Sequence, residues 1–272
     1  MPNASQPQPT VHARLLGPGE PAAFETLRAG PRHPALLVCD HAAARIPAAL
    51  GTLGLAPVKL ADHIALDIGA GALTRQLVQR LQVPAVLGAY SRLVVDCNRR
   101  LDDPTAFPAR SDGVEVPGNT ALDHAERERR AETLYWPYHH AVRDELTRLE
   151  AAAKAPALIA IHSFTPTLNG APRPWHVGVL WDKDPRIPVP MMDALRQVTG
   201  ITVGDNEPYS GRHPADFTVD HHAEAEGLPH VSIEVRQDLI TTDEGVAHWA
   251  EVLADVLLPI LDDSSLYVHW SG

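Results

Sequence analysis

Five short apolar runs in this chain stop on side chains able to bind a metal, accept a proton or grip an anion. Ala35 to Cys39 ends on Asp40 and His41, Leu93 to Cys97 runs into Asn98 and Arg99, and Leu158 to Ile161 leads to His162 and Ser163. His176 to Leu180 is followed by Trp181 and Asp182, and Val231 to Ile233 by Glu234, Val235 and Arg236. Apolar runs of this length read as buried strands, and ligands in open α/β sheets bind outside the carboxyl ends of the strands. One shared sheet edge would gather these polar ends.

The chemistry such a gathering offers is that of imidazole beside carboxylate. Two histidines and one carboxylate on a divalent metal such as zinc leave a position open for a water, whose pKa falls to about 7. A second carboxylate is then placed to accept the proton as general base. His41, Asp67, His162 and Glu234 are the residues available for these roles. The complement is cationic: Arg92, Asn98 and Arg99 on neighbouring runs suit a substrate carboxylate, which the flat fork of a guanidinium fits better than an ammonium does. Arg236 lies two residues from Glu234 and so on the same strand face, where it either polarises a carbonyl or pairs with Glu234. Other chemistries lack their signatures. The chain has no Gly-x-Ser-x-Gly elbow, no glycine-rich phosphate loop, no His-Glu-x-x-His helix and no Cys-x-x-Cys pair.

These residues need strands to deliver them and helices to cover the strands. Val58 to Leu81 has helical periodicity after Pro57, with His63 and Asp67 one turn apart; Gly69 and Gly71 predict a break or close packing just after Asp67. Val83 to Tyr90 reads as a strand, and Leu101 to Gly118, rich in Asp, Pro and Gly, as a loop over the sheet edge. Asn119, Thr120 and Asp123 offer caps to a long helix ending near Glu150, kinked at Pro137. Further helices are expected at 190–199, 220–226 and 242–261, with a short strand at 201–203. Alternation of strands and helices predicts an α/β protein, one domain over 11–272, with a mixed, mostly parallel sheet and helices on both faces.

Composition narrows the classes. With 272 residues, 44% hydrophobic and 21% charged, the chain can bury a substantial core, and no run is long enough to cross a bilayer. A net charge of -11 and the lack of a basic stripe argue against nucleic acid as a partner. Residues 1–10, rich in Pro and Gln, are expected to form a mobile tail and have neither the basic start nor the apolar middle of a secretory signal. A cytoplasmic protein with its two cysteines, Cys39 and Cys97, reduced and buried is the expectation.

Several motifs taken together resemble the N-formylglutamate amidohydrolase family. They are Cys39-Asp40-His41 through Arg45-Ile46-Pro47, His63 to Ala70, Tyr90 to Arg99, Ile161 to Phe164, Asn206 to Gly211, and Gly227 to Ile240, in order over about 35–255. The resemblance implies a fold related to zinc carboxypeptidases and metal-assisted cleavage of a formyl amide to formate and glutamate. By position it implies His41, Asp67 and His162 as ligands to a divalent metal, zinc, and Glu234 as base. Asn98-Arg99 is similar to the pair with which carboxypeptidases hold a terminal carboxylate, and Tyr209 and His222 fall near the substrate. The carboxypeptidase His-x-x-Glu motif has Ala44 at its acidic position here, so Asp67 is taken as the third ligand. The expected ligand is a small N-acyl amino acid. Another acylated amino acid or amine, or carboxylate binding without turnover, stays open, as does the oligomeric state.

Overall fold

A computed structural model describes residues 14–30, 32–212 and 216–272; the tail expected at 1–10 lies outside them. Seven strands form the main sheet: β1 (Phe24–Leu27), β2 (Ala35–Cys39), β3 (Ala85–Gly88), β4 (Ala157–Phe164), β5 (Val177–Leu180), β6 (Val203–Asp205) and β7 (His230–Arg236), in the order β1-β3-β2-β4-β7-β5-β6. The pairs β3/β2, β2/β4, β4/β7 and β5/β6 are parallel, whereas β1/β3 and β7/β5 are antiparallel. The mixed, mostly parallel sheet is therefore as expected, and β1 and β6 are its edge strands. Strands β2, β4 and β7 lie at its centre, buried on both faces, which is why they read as continuous apolar runs.

Two cores sandwich the sheet. On one face Leu37, Ile159, Ile161, Val231 and Ile233 pack against α1 (Ala70–Leu81), α3 (Pro188–Leu195) and α4 (Asp243–Leu261). On the other, Leu36, Val38, Leu158 and Ala160 pack against α2 (Trp136–Leu149) and the coiled segments around it. Helix starts follow the sequence: the side chain of Asp123 accepts from Glu126 N–H, and that of Thr242 from Gly245 N–H. Ahead of Pro137 the helix widens into a π turn at Ala131–Tyr135, the place where a residue with no N–H perturbs the ladder.

The expected helix over 58–81 is broken. A single turn at Pro57–Leu60 gives way to irregular chain, and α1 begins only after Gly69, whose φ of 81° is the left-handed region glycine tolerates. At Gly71 a Cβ would stand 2.8 Å from the Ala42 carbonyl oxygen, so α1 approaches the end of β2 at backbone distance. His63 consequently does not share a helical face with Asp67; it bonds Asp62 and Asp112 instead.

The run Leu93 to Cys97 is not a strand, correcting the reading above. Its residues are buried, yet their backbone groups are satisfied by the Asn119 amide on Leu93 O, Arg130 on Val94 O, and Asp96 N–H on Ala106 O. Burial in the second core, not sheet pairing, made the run apolar. The segment Leu101 to Gly118 carries a short helical turn at Pro104–Ala106 and a small hairpin at Arg110–Ser111 and Val114–Glu115, and it brings Asp103 to the cleft described next. Cys39 and Cys97 are buried and free. Among the described residues no helix is long and apolar enough to cross a membrane.

Candidate active site

A cleft of about 510 Å³ opens at the carboxyl ends of the central strands, lined among others by His41, Asp67, Arg92, Asn98, Arg99, His162, Tyr209 and Glu234. Register explains the meeting of two of them. In the parallel pair β4/β7, His162 lies opposite Glu234, and alternation puts both on the sheet face that carries Leu158 and Ala160. His41 follows the end of β2, the other neighbour of β4. Asp67 is stitched in by backbone: its N–H donates to the His41 carbonyl at 3.0 Å, and Ser163 Oγ donates to the next carbonyl, Ile68 O, at 2.8 Å.

One oxygen of Asp67 sits between two imidazoles. Oδ2 is 3.3 Å from His41 Nδ1 and 2.9 Å from His162 Nδ1. The three residues offer ligand atoms that all lie within 4.8 Å of one another, and all three are buried. Adjacent ligands around a tetrahedral ion with bonds of 2.0–2.1 Å stand about 3.3 Å apart, so this donor set fits a divalent metal. The far nitrogens strengthen the fit. His41 Nε2 lies 2.8 Å from Asp96 Oδ1, and His162 Nε2 lies 3.4 Å from Asp40 Oδ2. A carboxylate behind each ring fixes the proton on Nε2 and turns the Nδ1 lone pair toward the shared point. His162 Nε2 and Asp40 Oδ2 face each other at ion-pair distance, and neither makes a hydrogen bond.

Asp40 was named at the end of the first run but given no role, and Asp96 was not singled out from sequence. The available signal was an acid inside an otherwise apolar run, which needs a buried partner. They close a circuit: Thr218 Oγ1 donates to Asp40 at 2.7 Å, Thr218 N–H to Asn98 Oδ1 at 3.0 Å, and Asn98 N–H to Asp96 at 2.9 Å. Because the Asn98 oxygen is occupied by Thr218, its amide nitrogen is the end left for a ligand.

Charge in the cage is negative in balance, and the titrations follow. Burial works against the Asp67 carboxylate, but His41 and His162 outweigh it and hold its pKa far below the usual range. Burial likewise opposes the charge on His162, yet the Asp67 hydrogen bond and the carboxylates of Asp67, Glu234 and Asp40 push it up to about 10. The field that draws a proton there is the field a cation would meet. Glu234 is raised to about 7, chiefly by burial, with Asp67 and Asp216 adding to it against His162 and Arg92. Its Oε2 has no hydrogen-bond partner.

Three expected residues are placed differently. Arg92 reaches the cleft, but its Nε and Nη2 donate to Asp96 at 3.0 and 2.8 Å and its Nη1 to Asp67 at 3.3 Å. It neutralises the two buried acids and holds them in place, so its charge toward a substrate carboxylate is largely offset. Arg236 shares the strand face of Glu234 but pairs with Asp238 at 2.8 Å, because the chain turns directly after β7; it does not line the cleft. His222 is 7% exposed and bonds His139 Nδ1 at 3.0 Å among Tyr135, Phe217 and His221, behind the site rather than in it. Tyr209, Asn98 and Arg99 do line the cleft, together with Asp103, Arg212 and Asp216, which the sequence reading did not name.

The model of the N-formylglutamate amidohydrolase family matches residues 33–241. A gene product of Agrobacterium tumefaciens has a similar structure, with 36% identity over 93% of this chain and 100% of its own, at a TM-score of 0.88. An N-formylglutamate amidohydrolase from Ralstonia eutropha shares the fold at 21% identity, covering 91% of this chain and 100% of its own, with a TM-score of 0.68. No curated protein matches the chain.

Proposed function

The chain belongs to the N-formylglutamate amidohydrolase family, and from that premise we propose a metal-dependent hydrolase that cleaves the N-acyl amide of a small amino acid with a free carboxylate. N-formylglutamate, giving formate and glutamate, is the proposed substrate. Family membership supports an amide hydrolase. The metal and the substrate are our reading, and the observation that carries it is two buried imidazoles turning Nδ1 to one Asp67 oxygen while a carboxylate stands behind each.

His41, Asp67 and His162 would hold the ion, zinc by their nitrogen and carboxylate donors, and when bound it supplies a Lewis acid beside Glu234. The remaining work falls to the chain. Glu234, with a pKa near 7, takes the proton of the attacking water and delivers it to the departing nitrogen, so that acid and free amine leave. The Asn98 amide nitrogen and Arg99 hold the substrate carboxylate, which sets the acyl carbon at the catalytic end of the cleft. Arg92 and Asp96 keep His41 oriented throughout.

The test is formate release from N-formylglutamate. Chelator-treated protein should lose it, and regain it with added zinc, while elemental analysis finds about one ion per chain. Glu234→Gln should lower kcat by about 10²- to 10⁴-fold with metal content intact. A Glu234→Gln enzyme as fast as wild type would remove the base assignment, and a panel of other N-acyl amino acids decides the acyl group.

A further inference from the structure

Arg173 stands in the segment between β4 and β5, 7% exposed, and its hydrogen bonds go to neutral groups. Nη1 donates to Thr165 Oγ1 at 3.1 Å and to the Tyr209 hydroxyl at 3.1 Å, and the guanidinium carbon lies 4.8 Å from the centroid of the Tyr209 ring. Arg130, as deeply buried, is paired with Glu126, and Arg92 with Asp96. Among the described residues no carboxylate pairs with Arg173 in this way. A buried cation without a counter-ion is costly, so its field should serve something else.

A guanidinium only donates. The Tyr209 oxygen is therefore the acceptor in that bond, and its own hydrogen must point elsewhere. Tyr209 lines the cleft with His162 and Glu234, and among the described residues its hydroxyl has no acceptor. Tyr209 is 44% exposed, yet partial desolvation at the cleft wall, with Glu234 adding and the Arg173 bond opposing, raises the phenol pKa, so the hydrogen stays on. An uncompensated charge on the acceptor side polarises the O–H and makes it a stronger donor.

We propose that Arg173 is a positioning residue that presents the Tyr209 O–H to the cleft, as a donor to the oxygen that gains negative charge when the substrate amide carbonyl becomes tetrahedral. The proposal rests on the amide-hydrolase reading, and neither residue makes or breaks a covalent bond in it. Donors aimed at a developing oxyanion act on kcat more than on ground-state binding.

The test is a double-mutant cycle on the metal-loaded enzyme, with kcat and KM for N-formylglutamate and metal content for every variant. Tyr209→Phe should lower kcat about 10²-fold and leave KM within about threefold. Arg173→Met should lower kcat about tenfold or more, the double variant should be no slower than Tyr209→Phe alone, and Arg173→Lys should recover most of the rate. Losses that multiply in the double variant overturn the proposal, as does an Arg173→Met enzyme whose KM rises at unchanged kcat, the mark of a direct anion anchor. If Arg173→Met does not fold, Tyr209→Phe decides alone, and a kcat within about threefold of wild type overturns the proposal. Wild-type protein inactive on every N-acyl amino acid would sink the proposed function and this inference together; active wild type with an unimpaired Tyr209→Phe sinks the inference only.

Discussion

Acidification should unfold this protein through one buried pair behind the site. His139 on α2 is 3% exposed; its Nε2 donates to the Cys97 carbonyl at 2.9 Å, so its Nδ1 accepts from His222 Nε2–H at 3.0 Å. Burial, then the neighbouring imidazole of His222, holds His139 down to about 3, and burial with His221 and Arg143 holds His222 to about 3. Unfolded, each returns to about 6.5. Both are depressed in the fold, so their contribution is fully present above about pH 6.5 and is lost as pH falls toward about 3, where the folded state at last takes up the protons. At about pH 5 the unfolded chain gains roughly 1.5 units for each imidazole at about 1.4 kcal/mol per unit, about 2 kcal/mol each and about 4 for the pair. Geometry agrees: a proton on His139 Nδ1 would set donor against donor. Urea denaturation at about pH 7 and about pH 5, in chelator so that metal linkage drops out, measures the loss. His139→Gln/His222→Gln should be less stable at neutral pH but show a loss on acidification smaller by about 4 kcal/mol. The same loss in wild type and double variant would refute the reasoning.

Removing the carboxylate behind either imidazole, by Asp96→Ala or Asp40→Ala, should weaken metal binding by about 10- to 100-fold, read by competition with a chromophoric chelator; unchanged affinity would show that neither acid orients its histidine. Gly69→Ala should destabilise by roughly 3 kcal/mol, since its φ of 81° is strained for any side chain and a Cβ would collide with the Ile240 carbonyl. Thermal denaturation of the metal-free protein checks it, and an unchanged midpoint would mean that the helix start can relax.

The three central strands were legible because a strand buried on both faces must be apolar throughout, and the polar residue that ends such a run has to meet something. His41, His162 and Glu234 were readable on that ground, Asp67 as an acid beside a glycine break and Asn98 and Arg99 as the cationic complement, while the family motifs added Tyr209 and His222. The same rule misread Leu93 to Cys97. An apolar run reports burial, and burial under α2 and the Asn119 amide looks the same in one dimension as burial in a sheet.

Partners are what the chain order left open. Arg92 and Arg99 are alike as letters, but Arg92 faces two acids delivered by residues 67 and 96 and is consumed by them. Arg236 alternates onto the face of Glu234, then turns to Asp238 because β7 ends there. Local pattern determined which residues are buried and on which face they begin, since period and hydrophobicity are short-range properties. Which acid stands behind which imidazole, and which cation is tied to buried acids, was decided only by contacts between segments tens of residues apart, because an ion pair depends on distance in space and not on separation along the chain.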